Sequence, residues 1–392
     1  FWMANAGRFV FSQLIELIHR QLFARCVHRY QGDYKVRHFS CREQFLCLAF
    51  AQLTARESLR DIEVCLNARP ERRYRLGFGQ PIARSTLAEA NESRDWRIYG
   101  DLAQALIRRA RELYSGEDLG LDMENTVYAL DSTTIELCLS LFPWARYQRI
   151  CGAIKLHTLL DLRGPIPSFL QFSDGKQADV TALDSLIPEP GSFYLVDRGY
   201  VDQARLFRFH QAGAFFVTRT KKGIRLRRLE SRLVDMSQGL RSDQTVRFAT
   251  VEGCAHYPEP LRKIRFRDPE TGKVLVFLTN NFDLPALTIP KLYKLRWRVE
   301  LFFKWIKGHL RIKAFYGTSA NAVQTQVWVA ICIYVMVAIL RKELRLPLSL
   351  HTMLQILSVN IFEKVPLAEL FANSPLEMKE VDLHNQLLFN YL

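Results

Sequence analysis

Apolar residues recur three and four positions apart through "CREQFLCLAFAQLTARESLRDIEVCL" (residues 41–66) and "DWRIYGDLAQALIRRARELY" (95–114), the spacing of amphipathic helices. Residues 1–118 are therefore expected to be helical. In the polar stretch between those segments, Ser85 is placed to cap a further helix. Beyond residue 118 the period shortens. Apolar runs at 127–133, 153–162 and 167–174 read as three strands. A short helix near 180–186, a strand at 192–197, a helix at 201–212 and a strand at 214–220 follow. Residues 221–289 add "TVRFATVEG", "RKIRFRD" and "KVLVFLTN", again strand-like, and the chain then returns to helices.

The succession β-β-β-α-β-α-β is the ribonuclease-H-like order. The expected class is α/β: a helical DNA-binding domain (1–118), the first part of a ribonuclease-H-like core (119–220), a β-rich basic insertion (221–289) and the closing helices of the core (290–392). In such an order, an acid midway along the first strand lies beside an acid ending the fourth. A third can come from the closing helix.

That helix is "YKLRWRVELFFKWIKGHL" (293–310). At about 100° per residue, Tyr293, Arg296, Glu300, Lys304 and Lys307 share a sector of roughly 80°, and Leu292, Leu295, Val299, Phe302, Phe303, Ile306 and Leu310 form a separate apolar arc. Ordinary helix-surface pairing would explain a Glu/Lys stripe; a lone acid among so many cations exceeds what pairing needs. Arg298 falls off the stripe. A further apolar run, "VWVAICIYVMVAIL" (327–340), is too short to span a bilayer and reads as a buried helix, with no membrane partner.

Charge sharpens the picture. The 392 residues hold 54 Lys and Arg against 40 Asp and Glu, a formal charge of +14. Such an excess points to a polyanion, most simply nucleic acid, whose counterions it displaces. The insertion is basic at its entrance, "RTKKGIRLRR", and again at Arg262, Lys263, Arg265 and Arg267. The eight cysteines show no CxxC and no paired histidine spacing. They read as small buried side chains in a reducing cytosol, which sets aside a zinc site or disulfide scaffold.

The candidate chemistry lies in Asp131, inside the first strand, Asp197, ending "FYLVD", and Glu300. Three carboxylates brought together require a cation, and hard oxygen ligands suit Mg²⁺ or Mn²⁺, with two ions serving phosphodiester displacement. Asp122, Glu124, Asp161, Asp174, Asp179, Asp184 and Asp202 compete but have no strand-end acid expected beside them.

The spacing Tyr293-x2-Arg296-x3-Glu300-x6-Lys307, with "ALDST" and "LVDRGY", resembles the insertion-sequence transposases of the IS-four family. The likeness extends to the β insertion and to "AQLTARESLRDIE" near the start. It implies that Asp131, Asp197 and Glu300 form a DDE metal triad holding Mg²⁺ or Mn²⁺, two ions in all, and that Tyr293, Arg296 and Lys307 grip DNA phosphates; Lys304 joins them on the stripe. The expected protein is a cytosolic bacterial transposase that binds its element's inverted repeats as a homodimer in the synaptic complex, cleaves each end and joins it to target DNA. The alternatives are a nuclease or resolvase without strand transfer, and a catalytically inactive DNA-binding protein. Neutralising Arg296 or Lys307 is expected to leave the fold intact, and Arg298 to matter little.

Overall fold

The computed structural model describes residues 7–145, 151–221, 223–309 and 315–372; Lys222 of the basic entrance and Leu310 of the apolar arc lie outside them. Two compact units emerge, Phe1–Tyr114 with Ser140–Trp144 and Lys304–Leu392, and Ser115–Leu139 with Ala145–Phe303.

In the first unit, α1 (Val10–Ile15), α2 (Arg20–Arg29), α3 (Cys41–Leu53), α4 (Leu59–Asn67), α5 (Pro70–Arg75), α6 (Arg84–Ser93) and α7 (Arg97–Tyr114) precede the sheet in sequence. Reciprocal caps fix two of the starts. Ser40 and Glu43 close α3, and Ser58 and Asp61 close α4, each satisfying backbone N–H groups a helix end leaves open. Ser85 does not cap α6: Ala83 holds that position, and the Arg84 N–H donates to Glu63 Oε1 at 2.9 Å. Three residues of "ESLRDIE", Ser58, Asp61 and Glu63, thus serve local helix ends, which the apolar period does not reveal.

The second unit holds nine strands: β1 (Val127–Cys138), β2 (Cys151–Asp161), β3 (Ile166–Asp174), β4 (Phe193–Val196), β5 (Phe215–Arg219), β6 (Leu226–Arg232), β7 (Leu240–Phe248), β8 (Leu261–Arg267) and β9 (Val274–Thr279). They form one sheet in the order β3-β2-β1-β4-β5-β9-β8-β7-β6. β1, β4 and β5 run parallel and β2 and β3 antiparallel, the ribonuclease-H-like arrangement expected. The expected helix near 180–186 is a 3₁₀ segment, Asp179–Ser185. The strands of 221–289 extend the same sheet, joined through β9 to β5 with Val217 opposite Thr279 and Arg219 opposite Phe277. Helices α8 (Gln203–Gln211) and α9 (Val251–His256) lie between strands in sequence.

Alternation assigns the two faces. Tyr128, Leu130, Tyr194, Val196, Phe216, Val246, Phe248, Leu261 and Leu278 enter one apolar core with Leu206 and Phe209 of α8. Their neighbours along each strand face the other way.

The closing segment comprises α10 (Thr288–Lys294), α11 (Trp297–His309), α12 (Ala320–Glu343), α13 (Leu350–Asn360) and α14 (Leu367–Ala372). The single helix expected over 293–310 is broken. At Leu295 and Arg296 the backbone tightens to i→i+3 bonds, with the Arg298 N–H on the Leu295 carbonyl (3.0 Å) and the Val299 N–H on the Arg296 carbonyl (3.1 Å). Trp297, at the break, is 37% exposed. In the helical unit, α12 is long and apolar enough to cross a membrane, yet residues 327–340 are all buried and the helix packs on α7 and α3. Of the cysteines expected inside, Cys26, Cys41, Cys47 and Cys332 are buried, whereas Cys138 and Cys254 are exposed.

Candidate active site

Two parallel strands, β4 and β5, end level with a point partway along β1, which is parallel to them. Leu130 of β1 lies opposite Val196 of β4, and Val196 opposite Thr218 of β5. The next residues are Asp131, Asp197 and Arg219, all on the face away from the core that receives Leu130, Val196 and Phe216. Adjacent strands stand about 4.8 Å apart, so the register alone sets these three charges in a row.

The segment from α10 to α11 completes the cluster. Tyr293 packs on Phe277 of β9 with ring centroids 5.2 Å apart, and its hydroxyl donates to Asp197 Oδ1 at 3.3 Å. Arg296, in the turn, sends Nη1 to Asp131 Oδ2 (2.8 Å) and Nη2 to Glu300 Oε1 (2.5 Å). Glu300 occupies the first turn of α11, where the exposed N–H groups favour an acid. Arg219 Nη2 donates to Asp197 Oδ1 at 3.2 Å. The Arg219 and Arg296 guanidiniums each lie 5.8 Å from the Tyr293 ring centroid, so the ring separates two cations while its hydroxyl meets an acid.

Electrostatics differ between the two aspartates. Burial drives the Asp131 carboxyl up to about 6, against the pull of Arg296 and the Ser132 backbone N–H and with help from Glu300 and Asp197. Burial also pushes Asp197 upward, but the Arg198 backbone N–H and the Arg296 and Arg219 guanidiniums outweigh it and hold it below its ordinary value. Burial works against the Arg296 charge, yet Tyr293, Asp131 and Glu300 keep it firmly protonated. Its side chain is only 12% exposed, and among the described residues its Nε has no hydrogen-bond partner.

The raised Asp131 carboxyl carries a signature. In the fold it keeps its proton to about pH 6, while the unfolded chain releases it near 3.8. Between those values the native state binds more protons, so this group subtracts stability as pH rises, and above about 6 the subtraction is constant. Asp131→Asn cannot titrate. Its melting temperature relative to the unaltered protein should climb from about pH 4 to about pH 6 and then level off. Paired melting curves over that range check this, and a flat difference would show that Asp131 titrates normally.

The structure thus brings Asp131, Asp197, Glu300, Tyr293 and Arg296 together. Lys304, exposed, and Lys307, half-buried, fall further along α11 in the helical unit. Arg219 was not foreseen; its signal was a cation ending the strand that follows "FYLVD". Arg298 is not idle, since Nη1 donates to the Leu162 carbonyl at 2.8 Å. Several competing acids have local duties. Asp161 pairs with Arg163, Asp184 with Arg205 and Arg208, and Asp202 caps α8. Asp179 meets Lys155 (3.1 Å) and Ser132 Oγ (2.9 Å).

Among the described residues, no three His, Cys, Asp or Glu side chains already stand as a metal cluster. The position between Asp131 and Glu300 is taken by a guanidinium. The donors are hard oxygens, as Mg²⁺ or Mn²⁺ prefers, and a cation buried among them shows that the position demands positive charge. The residues therefore fit a divalent ion once Arg296 gives way.

A model of the transposase DDE domain matches residues 122–336, more than half of the chain. Residues 6–79 match a domain of unknown function, DUF4372. A Sinorhizobium fredii protein named as transposase y4zB is 29% identical over 80% of this chain and 88% of its own. A Geobacillus stearothermophilus protein named as a transposase for insertion sequence element IS5377 is 31% identical over 53% of this chain and 54% of its own. A third, from Synechocystis and named for element IS4SA, is 24% identical over 67% of this chain and 73% of its own. Among solved structures, the piggyBac transposase synaptic complex with hairpin DNA aligns with a TM-score of 0.47 at 9% identity, over 98% of this chain and 86% of that one, too distant to carry anything over.

Proposed function

The chain belongs to the DDE transposases of insertion sequences, and we propose that Asp131, Asp197 and Glu300 are its catalytic triad, cutting the ends of its own element and joining them to target DNA. The observation that carries this reading is that Arg296 joins one strand acid to one helix acid while its charge also acts on a strand-end acid, inside the stretch that matches the DDE domain.

The three carboxylates would hold one or two Mg²⁺ or Mn²⁺ ions, which would supply an activated water and stabilise the leaving oxygen. Water oxygen bonds to phosphorus as the P–O3′ bond breaks, freeing a 3′-OH. That hydroxyl then attacks a phosphodiester of the target, so one P–O bond forms for each that breaks. Arg296 and Arg219 neutralise the acids while the DNA is absent, and with Tyr293 they would turn to the phosphates beside the cut. Lys304 and Lys307 would hold the strand further along α11. The helices of 1–118 would read the inverted repeat, and 221–289 would be the basic insertion between the core segments 119–220 and 290–392. Because two ends must be held together, the working form would be a homodimer on double-stranded DNA, in the bacterial cytosol.

Purified protein incubated with a labelled element end, Mg²⁺ and a supercoiled plasmid tests the reading. The expected product is label covalently joined to plasmid. A cut end that never joins would indicate a nuclease, and bound but uncut DNA an inactive binding protein.

A further inference from the structure

The outer strands carry an arrangement that the fold itself does not need. Arg227 of β6 stands directly opposite Arg247 of β7 in antiparallel register, and Arg225 precedes Arg227 by two residues. Leu226, Val246 and Phe248 pack into the apolar core on one face, with Ile224 beside them. Alternation therefore turns Arg225, Arg227 and Arg247 to the opposite face, which is the face that carries Asp131, Asp197 and Arg219. All three arginines are exposed, and among the described residues no hydrogen bond or ion pair engages their guanidiniums.

Like charges directly opposite one another weaken a strand pair. The same two strands show the ordinary solution a few residues away. There Asp243 of β7 takes both Arg262 of β8 (2.8 Å) and Arg232 of β6 (3.4 Å), and Thr245 Oγ1 accepts from Arg232 Nη2 at 3.0 Å. One end of this ladder is thus neutralised and the other left purely cationic. A polyanion lying across the exposed end would supply the missing negative charge.

We infer that Arg225, Arg227 and Arg247 grip the sugar-phosphate backbone of the duplex whose end lies at the triad, several base pairs from the cut. The inference rests on the transposase site assignment above. The register sets the separation. Asp197 is level with Arg219, Phe277, Ile264 and Asp243 across the sheet. From β4 to β7 is four strand spacings, about 19 Å, and Arg247 lies four residues beyond Asp243, about 13 Å along the strand. The grip is therefore about 23 Å from Asp197, or about seven base pairs at roughly 3.4 Å each.

The test uses the full-length protein and a labelled 30-base-pair duplex bearing one end of the element that encodes it, with affinity measured against salt and melting followed in parallel. Arg227→Gln/Arg247→Gln is expected to bind more weakly and to lower the slope of log K against log salt by about 1.8, or roughly 0.9 per phosphate contact. Its melting temperature should be equal or higher, because the like-charge pair is gone. Arg227→Lys/Arg247→Lys should keep the slope. On a duplex trimmed to fewer than about seven base pairs beyond the cut, the unaltered protein and the glutamine variant should bind alike. A glutamine variant with an unchanged slope, or a difference that survives trimming, overturns the inference while leaving the triad untouched. Failure of the unaltered protein to bind the element end above a random duplex would overturn the site reading beneath it.

Discussion

Replacing Asp131, Asp197 or Glu300 with alanine is expected to cut both end cleavage and strand transfer by roughly a thousandfold or more, while the chain still folds. A bound ion is worth several kcal/mol to a phosphoryl transition state, and each 1.4 kcal/mol is about tenfold in rate. The three should not add. Once one ligand is lost the centre no longer works as a unit, so a double variant should be little worse than either single one. Folding survives because each carboxylate is answered by an arginine that keeps another partner or reaches solvent. Without Asp131, Arg296 still holds Glu300, which is a third exposed. Without Asp197, Arg219 remains on the rim with its side chain 35% exposed. A gel assay of labelled ends beside a melting curve decides the matter: a variant that melts normally and cuts normally removes that residue from the site.

Arg296→Ala is expected to do the opposite, harming the fold as well as the chemistry. From the helical stripe alone, this substitution should have been structurally mild. Its guanidinium is instead buried between Asp131 and Glu300. Removing one partner of a fully buried pair costs about 3–5 kcal/mol; because Asp131 and Glu300 are 20% and 33% exposed, about 2 kcal/mol is the sounder expectation. For a unit of this size that is a fall of roughly 4–8 °C in melting temperature. Arg296→Lys should not restore it, since one ammonium cannot fork to two carboxylates as a guanidinium does. Millimolar Mn²⁺ should raise the melting temperature of Arg296→Ala more than that of the unaltered protein, because the ion then meets no competing guanidinium. With DNA, strand transfer should fall on the order of 100-fold through misplacement of the cut end. Equal melting of variant and unaltered protein would show that Arg296 does not hold the two acids. Arg298, by contrast, ties α11 to the Leu162 carbonyl, so its loss should cost about 1 kcal/mol with little effect on strand transfer.

The parts of this site that the sequence reveals are those fixed by local pattern. An apolar run ending in an acid marks Asp131 and Asp197, and the β-β-β-α-β order sets their strands side by side. Glu300 stands out because its neighbours on the helix are cations. Arg219 escapes such a reading, since its position depends on the Val196–Thr218 register and not on anything near it in sequence. The break at Leu295 and Arg296 carries no glycine or proline to announce it; there the backbone tightens as Arg296 spans Asp131 and Glu300. The strands of 221–289 are legible as strands, yet their joining of β5 through β9 depends on pairing between residues some sixty positions apart. Arg227 facing Arg247 is a register fact of the same kind.

Metal preference in cysteine variants tests the central claim, that these carboxylates themselves bind the catalytic ion, most directly. Asp131→Cys and Glu300→Cys exchange a hard oxygen for a softer sulfur, which Mn²⁺ tolerates better than Mg²⁺. With the labelled element end as substrate, both variants are predicted to be inactive in Mg²⁺ and to recover strand transfer in Mn²⁺, while the unaltered protein works in either. Cysteine variants that remain as active in Mg²⁺ as the unaltered protein would contradict the account.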